Sequence, residues 1–114
     1  MTDHPLHFDG LIEVGRRIQS RELSAVEVTR TMLERIDSVD TTLNSFVTVM
    51  ADSALEQAAQ ADRDLAAGIH KGPLQGVPVA VKDLLWTAGT RTTHGMPLHR
   101  DRRGQRRRHG LCQR

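Results

Sequence analysis

The 114-residue sequence predicts an α/β fold followed by an unstructured Arg-rich tail. Three segments, about 10–20, 25–38 and 52–67, carry apolar residues at helical spacing. Two short runs, 46–50 and 77–83, are rich in β-branched residues and are typical of strands. Helices that alternate with strands favour an α/β architecture. We therefore expect a loose N-terminus at 1–8, one α/β region at 9–101 and a disordered tail at 102–114.

The first predicted helix begins after the loose N-terminus. Asp9 is the expected N-cap, and Leu11, Val14 and Ile18 recur at helical spacing. Gly15 lies inside this helix, where glycine costs about 1 kcal/mol relative to alanine. We therefore expect the helix to depend on packing against the rest of the chain.

The second predicted helix has a clear start. Ser24 and Glu27 are spaced as a capping box, in which each side chain accepts a hydrogen bond from the other residue's backbone. Apolar residues then fall on one face of a helix over about 25–38: Val26, Val28, Met32, Leu33, Ile36 and Val39.

The third predicted helix, 52–67, is rich in alanine and ends at Gly68, which fits the position after a helix C-cap. Asp62 lies in the middle of its apolar face. Because buried polar groups are normally hydrogen-bonded, we expect the Asp62 carboxylate to accept from nearby backbone N–H groups.

The run 77–83 is typical of a strand that is buried on both faces. Val77, Val79 and Val81 alternate with Pro78 and Ala80, and the run stays apolar until Lys82. If 46–50 and 77–83 lacked neighbouring strands, their open edges would favour aggregation or self-association.

Composition excludes several classes of protein. No apolar run approaches the roughly 20 residues that span a bilayer, and residues 1–5 lack the features of a secretory signal. Cys112 is the only cysteine, so no internal disulfide can form and we expect a cytoplasmic protein. Three aromatic residues are too few for base-stacking platforms. No glycine-rich phosphate loop or dinucleotide fingerprint is present, so we expect no cofactor.

The basic pI comes from the tail alone. Residues 1–99 contain nine Lys and Arg against 13 Asp and Glu, a net charge of −4, whereas residues 100–114 contain seven Arg and one Asp, a net charge of +6. Three interpretations of 102–114 stay open. An out-of-frame end of GC-rich coding sequence is favoured, because the apolar patterning of the preceding residues stops at the start of this tail. The others are a phosphate-binding tail and a disordered end without a role. Sequencing the gene past this point separates them.

Lys82 is the strongest candidate for chemistry. The sequence has two lysines against 14 arginines, and Lys82 ends an apolar run. Burial would disfavour its ammonium and make the amine a general base. The alternative is a lysine at the end of a strand that extends its ammonium into solvent.

The segment 72–84, Gly-Pro-Leu-Gln-Gly-Val-Pro-Val-Ala-Val-Lys-Asp-Leu, resembles the lysine motif of the amidase-signature family. The segments 23–28 and 43–47 before it, and 89–95 after it, resemble that family in the same order. The resemblance covers roughly 10–101. It implies an α/β/α layered fold with a mixed sheet, and cleavage or transfer at a carboxamide C–N bond.

The resemblance also implies a catalytic set of two serines and a lysine, of which only the lysine is matched here, by Lys82. The family's Gly- and Ser-rich segment lies downstream of its lysine. All the serines of this chain lie upstream of Lys82, with no glycine within two residues of any: Ser20, Ser24, Ser38, Ser45 and Ser53. We therefore expect an amidase N-terminal part that is truncated before its nucleophile and inactive alone.

No metal site is expected. His4 with His7, and His94 with His99, are the only close histidine pairs, and neither has further ligands nearby in sequence. The expected partner of the full-length family is a small-molecule amide. The alternative function is a small α/β binding domain whose basic tail contacts nucleic acid.

Overall fold

The computed structural model describes residues 5–104, and over that range it contains three α-helices and no strand. The helices are α1 (Leu11–Gln19), α2 (Ala25–Leu43) and α3 (Ala51–Ala66). Short 3₁₀ turns form at Leu6–Phe8 and Pro97–His99. The chain divides after Val79 into two compact units, and all three α-helices lie in the first. No helix in the described range combines the length and apolar character of a membrane-spanning segment.

The start of α1 differs from the prediction. Gly10, not Asp9, is its N-cap, and no side chain caps it. The Asp9 carboxylate instead accepts a hydrogen bond from Arg17 Nη1 at 2.8 Å. A guanidinium within reach of the carboxylate forms a charge-assisted hydrogen bond, which is stronger than a bond to a neutral backbone N–H.

The glycine inside α1 has a packing reason. A Cβ at Gly15 would lie 2.5 Å from the carbonyl oxygen of Pro73, closer than any side chain tolerates. The segment that follows α3 therefore runs directly over α1 at this point. Gln19 Nε2 donates to the Gly72 carbonyl at 3.1 Å and fixes the same crossing.

The capping box of α2 is confirmed. Ser24 Oγ accepts from the Glu27 N–H at 3.0 Å, and Glu27 Oε2 accepts from the Ser24 N–H at 2.8 Å. The helix continues five residues beyond the predicted end, to Leu43. It stops at Asn44, which has a left-handed φ of 51°, while the Asp40 carboxylate accepts from the N–H groups of Ser45 and Phe46 at 2.6 and 3.2 Å.

The expectation for Asp62 is also confirmed. Its Oδ1 accepts from the Ala25 N–H at 2.7 Å, and its Oδ2 accepts from the Val26 N–H at 3.1 Å. The carboxylate of α3 thus satisfies the first two N–H groups of α2, which have no partner inside their own helix. Gly68 follows the end of α3 with a φ of 75°, as predicted for that position.

The apolar core lies between the three helices. Its buried members are Val14, Ile18, Ala25, Val28, Ala58 and Leu65. Val77 and Ala61 pack against this cluster. Small residues at the centre allow α2 and α3 to approach closely.

The predicted α/β fold with a mixed sheet is wrong for the described residues. Neither 46–50 nor 77–83 forms a strand, and Val79 and Val81 are 73% and 54% exposed. A strand exists only when its N–H and C=O groups pair with a neighbouring strand, and a β-branched composition does not provide that neighbour. Residues 5–104 contain two isolated bridges, Ala88 with Gly104 and Arg91 with Arg103. The open sheet edges that we expected to drive self-association are therefore absent from this range.

The first residues of the predicted unstructured tail are held in the second unit. The Thr92 N–H donates to the Arg102 carbonyl at 2.9 Å, and the Gly104 N–H donates to the Thr90 carbonyl at 3.1 Å. A Cβ at Gly104 would lie 2.2 Å from the Thr87 carbonyl oxygen, so the chain approaches itself closely there. The expectation of an unstructured tail is wrong for 102–104, and the rest of the tail, 105–114, lies outside the described residues.

Candidate active site

Lys82 lies at a turn of the second unit rather than at the end of a strand. Its carbonyl accepts from the N–H groups of Leu84 and Leu85, at 2.7 and 3.0 Å. Its side chain is exposed. Within residues 80–104, no hydrogen bond or ion pair reaches the Lys82 amine. The turn therefore fixes the backbone of Lys82 and leaves its amine open to solvent.

Asp83, the next residue, connects this turn to the segment 93–95. Its Oδ1 accepts from the Thr93 N–H at 2.8 Å, and its Oδ2 accepts from the Thr93 hydroxyl and, at 3.3 Å, from the Gly95 N–H. The Asp83 carbonyl also accepts from the His94 N–H at 3.1 Å. Asp83 thus joins two segments that are ten to twelve residues apart in sequence.

The donors around Asp83 hold it in its ionised form. The side-chain hydrogen bond from Thr93 contributes most to a pKa below the ordinary aspartate value, followed by the Thr93 N–H; the Gly95 N–H and the charge of His94 contribute less. Thr93 is buried, and so is its neighbour Thr92, which is 1% exposed. The ionised carboxylate therefore lies beside a buried threonine pair.

A ring cluster lies on the same unit. The guanidinium of Arg102 stacks 4.5 Å from the centroid of the Trp86 ring. The ring of His94 makes edge contacts with Trp86 and His99, at centroid distances of 5.7 and 5.6 Å. Among residues 5–104, no hydrogen-bond partner reaches the buried His94 Nε2 or His99 Nδ1. Over the described range, no group of three or more potential metal ligands forms around this pair.

The serines lie in the first unit, and several have local structural roles. Ser24 caps α2, and the hydroxyls of Ser20 and Ser38 donate to the carbonyls of Arg17 and Arg35. Ser53 accepts from Gln57 one turn later on α3. These are the hydrogen bonds of helix ends and helix surfaces. Two further residues considered from the sequence, His4 and Cys112, lie outside the described residues.

Comparison with known proteins identifies the family. The family model described as Amidase matches residues 27–106. That match covers more than half of the chain and includes Lys82, Asp83 and Thr93. The chain belongs to the amidase family. The resemblance based on 72–84 and its flanking segments is therefore confirmed.

Individual relatives agree with the family match. The chain is 45% identical over 95 residues to a glutamyl-tRNA(Gln) amidotransferase subunit of Geobacter sp., covering 83% of this chain and 18% of that protein. It is 51% identical over 81 residues to the same subunit of Thermosynechococcus vestitus, covering 71% and 17%. It is 43% identical over 91 residues to the putative amidase AmiD of Mycobacterium bovis, covering 80% and 19%. No solved structure matches the chain.

The amidase match spans only part of these relatives, since the chain covers less than a fifth of the length of each. Lys82 is predictable from the sequence as a candidate for chemistry, whereas Asp83 and Thr93 are not, although both belong to the segments that carry the resemblance. The available signal was an aspartate directly after the lysine and a Thr-Thr-His-Gly run ten residues later. Aspartate commonly accepts from backbone N–H groups in turns, but the sequence does not show which ones.

Proposed function

We propose that this chain carries the lysine-bearing segment of an amidase-family enzyme that cleaves the C–N bond of small-molecule carboxamides. The observation that supports the proposal is the family match over 27–106, because the lysine motif at 72–84 lies inside it. Lys82 is the proposed catalytic base. The single cysteine supports a cytoplasmic location.

The chemistry proposed for Lys82 is the activation of a serine. The neutral amine accepts a proton, through a bridging serine, from the nucleophilic hydroxyl. The serine oxygen then attacks the carboxamide carbon, the C–N bond breaks, and the nitrogen leaves with a proton. Water completes the cycle by hydrolysing the acyl-serine ester. An exposed lysine amine keeps its charge in water, so the proposal requires Lys82 to be desolvated when it acts.

The nucleophile is proposed to come from sequence outside these 114 residues. The five serines of the chain lack the flanking glycines of the family's serine segment, and Ser20, Ser24, Ser38 and Ser53 make local hydrogen bonds. Each unit exposes apolar side chains that further sequence could cover, Phe46, Val47 and Val79 in the first unit and Val81, Leu84, Leu85 and Trp86 in the second. The 114 residues alone are therefore proposed to be inactive.

The inactivity is tested with the chain itself. We expect no release of ammonia when the purified chain is incubated with simple aliphatic and aromatic carboxamides, measured against a buffer blank. Ammonia release that disappears in Lys82→Met would overturn the proposed inactivity and place a nucleophile within the chain.

The role of Lys82 is tested in a chimera. Residues 10–101 replace the matching segment of the Mycobacterium bovis relative, and ammonia release from a carboxamide is measured. We expect Lys82→Met to reduce kcat by at least about 100-fold, the lower range for general acid–base catalysis. Arg100→Met is the matched control, because it removes an exposed cation from the same unit. Equal activity of the Lys82→Met and Arg100→Met chimeras would contradict the proposal.

A further inference from the structure

We propose that Asp83 is a positioning residue for Lys82: its carboxylate ties the turn at 82–85 to the segment 93–95 and thereby fixes the backbone from which the lysine side chain projects. The consequence for catalysis rests on the proposed function of Lys82. The positioning itself is a property of this chain and is tested separately.

The contacts of Asp83 are matched to an ionised carboxylate. Three donors converge on its two oxygens: the N–H and the hydroxyl of Thr93, and the Gly95 N–H. An asparagine at this position has only one acceptor oxygen, and its NH₂ group would face one or more of these donors. Removal of the charge therefore leaves at least one donor unpaired, and the buried location of Thr93 makes an unpaired donor costly.

The contacts of the Asp83 carboxylate act on Lys82 through the backbone. The Lys82 carbonyl accepts from Leu84 and Leu85, while the next carbonyl along the chain, that of Asp83, accepts from His94. Both carbonyls are thus held, one within the turn and one by the segment that the Asp83 carboxylate binds. A general base acts well only when its supporting residues hold it in the productive geometry. The Asp83 contacts therefore supply rigidity at the point where the lysine leaves the main chain.

Backbone dynamics of Lys82 provide the main test. ¹⁵N relaxation of the chain reports an order parameter for the Lys82 amide, where about 0.85 is typical of rigid backbone and below 0.6 of flexible backbone. We expect a rigid value in the wild type and a flexible value in Asp83→Asn and Asp83→Ala. Asp101→Asn is the matched control, since it removes an exposed carboxylate from the same unit. It should leave the value unchanged.

The threonine offers a graded second test. Thr93→Ser keeps the hydroxyl and should retain the rigid value, whereas Thr93→Val removes one of three donors and should give an intermediate value. An equal loss in Thr93→Ser and Thr93→Val would show that packing of the methyl group, and not the hydrogen bond to Asp83, holds the turn, and would overturn the inference.

An acid titration of the unmodified chain requires no variant to fold. As pH falls and Asp83 is protonated, the amide signals of Lys82, Thr93 and Gly95 should shift together with one apparent pKa below the ordinary aspartate value. His94 is the titratable neighbour of this carboxylate, so the titration is repeated in His94→Gln, where the three signals should still move together. Independent titration, or a Lys82 signal that does not move, would contradict the inference.

The two proposals fail in distinguishable ways. A flexible Lys82 in Asp83→Asn, combined with full activity of the Lys82→Met chimera, would leave the positioning intact and overturn the catalytic role. A rigid Lys82 in Asp83→Asn, combined with an inactive Lys82→Met chimera, would overturn the positioning and leave the catalytic role.

Discussion

Two aspartates show how single carboxylates organise this chain over long sequence separations. Asp62 on α3 accepts from the first N–H groups of α2, more than 35 residues earlier, and Asp83 accepts from residues ten to twelve positions later. The requirement that the half-buried Asp62 be hydrogen-bonded is predictable from its place on an apolar face. The identity of the donors depends on how the helices and turns are arranged.

A third carboxylate makes the stability of the first unit depend on pH. Asp64 is buried, binds the Lys71 ammonium, and accepts from Gln60 Nε2 at 2.7 Å. The hydrogen bond from Lys71 is the largest cause of its lowered pKa, followed by that from Gln60. A carboxyl whose pKa is lower in the folded state adds stability above its unfolded pKa, near 3.9, and this stability is lost as pH falls through the folded pKa.

We therefore expect Asp64→Asn to lower the melting temperature at pH 7 and to have a smaller effect at acid pH, as the wild-type carboxyl also becomes protonated. Thermal unfolding followed by circular dichroism at both pH values measures this. Lys71→Met completes a double-mutant cycle that isolates the ion pair. An equal destabilisation by Asp64→Asn at both pH values would show that packing and not charge is responsible.

At the scale of elements, local sequence signals predict the helices more accurately than they predict the extended segments. The capping box starts α2 as predicted because its two partners are three residues apart. The end of α2 was predicted five residues too early, since periodicity does not show that the helix stops at the left-handed Asn44, where the Asp40 carboxylate accepts from the N–H groups of Ser45 and Phe46. The segments 46–50 and 77–83 differ from prediction because pairing of strands requires a distant partner.

Gly76 shows how closely the segment after α3 packs on the helices. It has a φ of 83°, and a Cβ there would lie 2.8 Å from Ala25 Cβ and 3.1 Å from Ile18 Cγ2. Gly68 has a similar φ of 75°, but no atom of the described residues lies within 4 Å of a Cβ at that position. The pair therefore separates the effect of backbone conformation from the effect of close packing.

We expect Gly68→Ala to cost about 1–2 kcal/mol of unfolding free energy, the strain of a left-handed non-glycine residue. Gly76→Ala carries the same strain and a collision with the core, which adds about 1–3 kcal/mol. Urea unfolding followed by the helical circular dichroism signal measures both. Equal stability of the two variants would show that a methyl group at position 76 fits beside Ala25 and Ile18.

At the scale of the whole molecule, different interactions stabilise the interior of each unit. The buried apolar cluster and all three α-helices belong to the first unit. In the described part of the second unit, the buried residues are Thr92, Thr93 and Gly104, and hydrogen bonds connect its turns. Because apolar burial is the dominant stabilising term, the first unit should be the more stable.

The single tryptophan makes this difference measurable. Trp86 lies in the second unit, whereas the circular dichroism signal at 222 nm comes from the helices of the first. We expect the fluorescence of Trp86 to change at a lower urea concentration than the helical signal. Coincident transitions would indicate one cooperative unit and contradict the expectation.

The sequence by itself determined the three helices, with their ends to within five residues, the capping box of α2, the family and the candidate lysine. Each of these depends on residues that are near one another along the chain: a periodic apolar face, a spacing of three residues, or a contiguous motif. The tertiary structure decided that 46–50 and 77–83 form no strand in the described range, that Asp9 binds Arg17 and does not cap α1, and that Asp83 joins Lys82 to the segment 93–95. These depend on pairing between distant residues, which packing and not local preference selects.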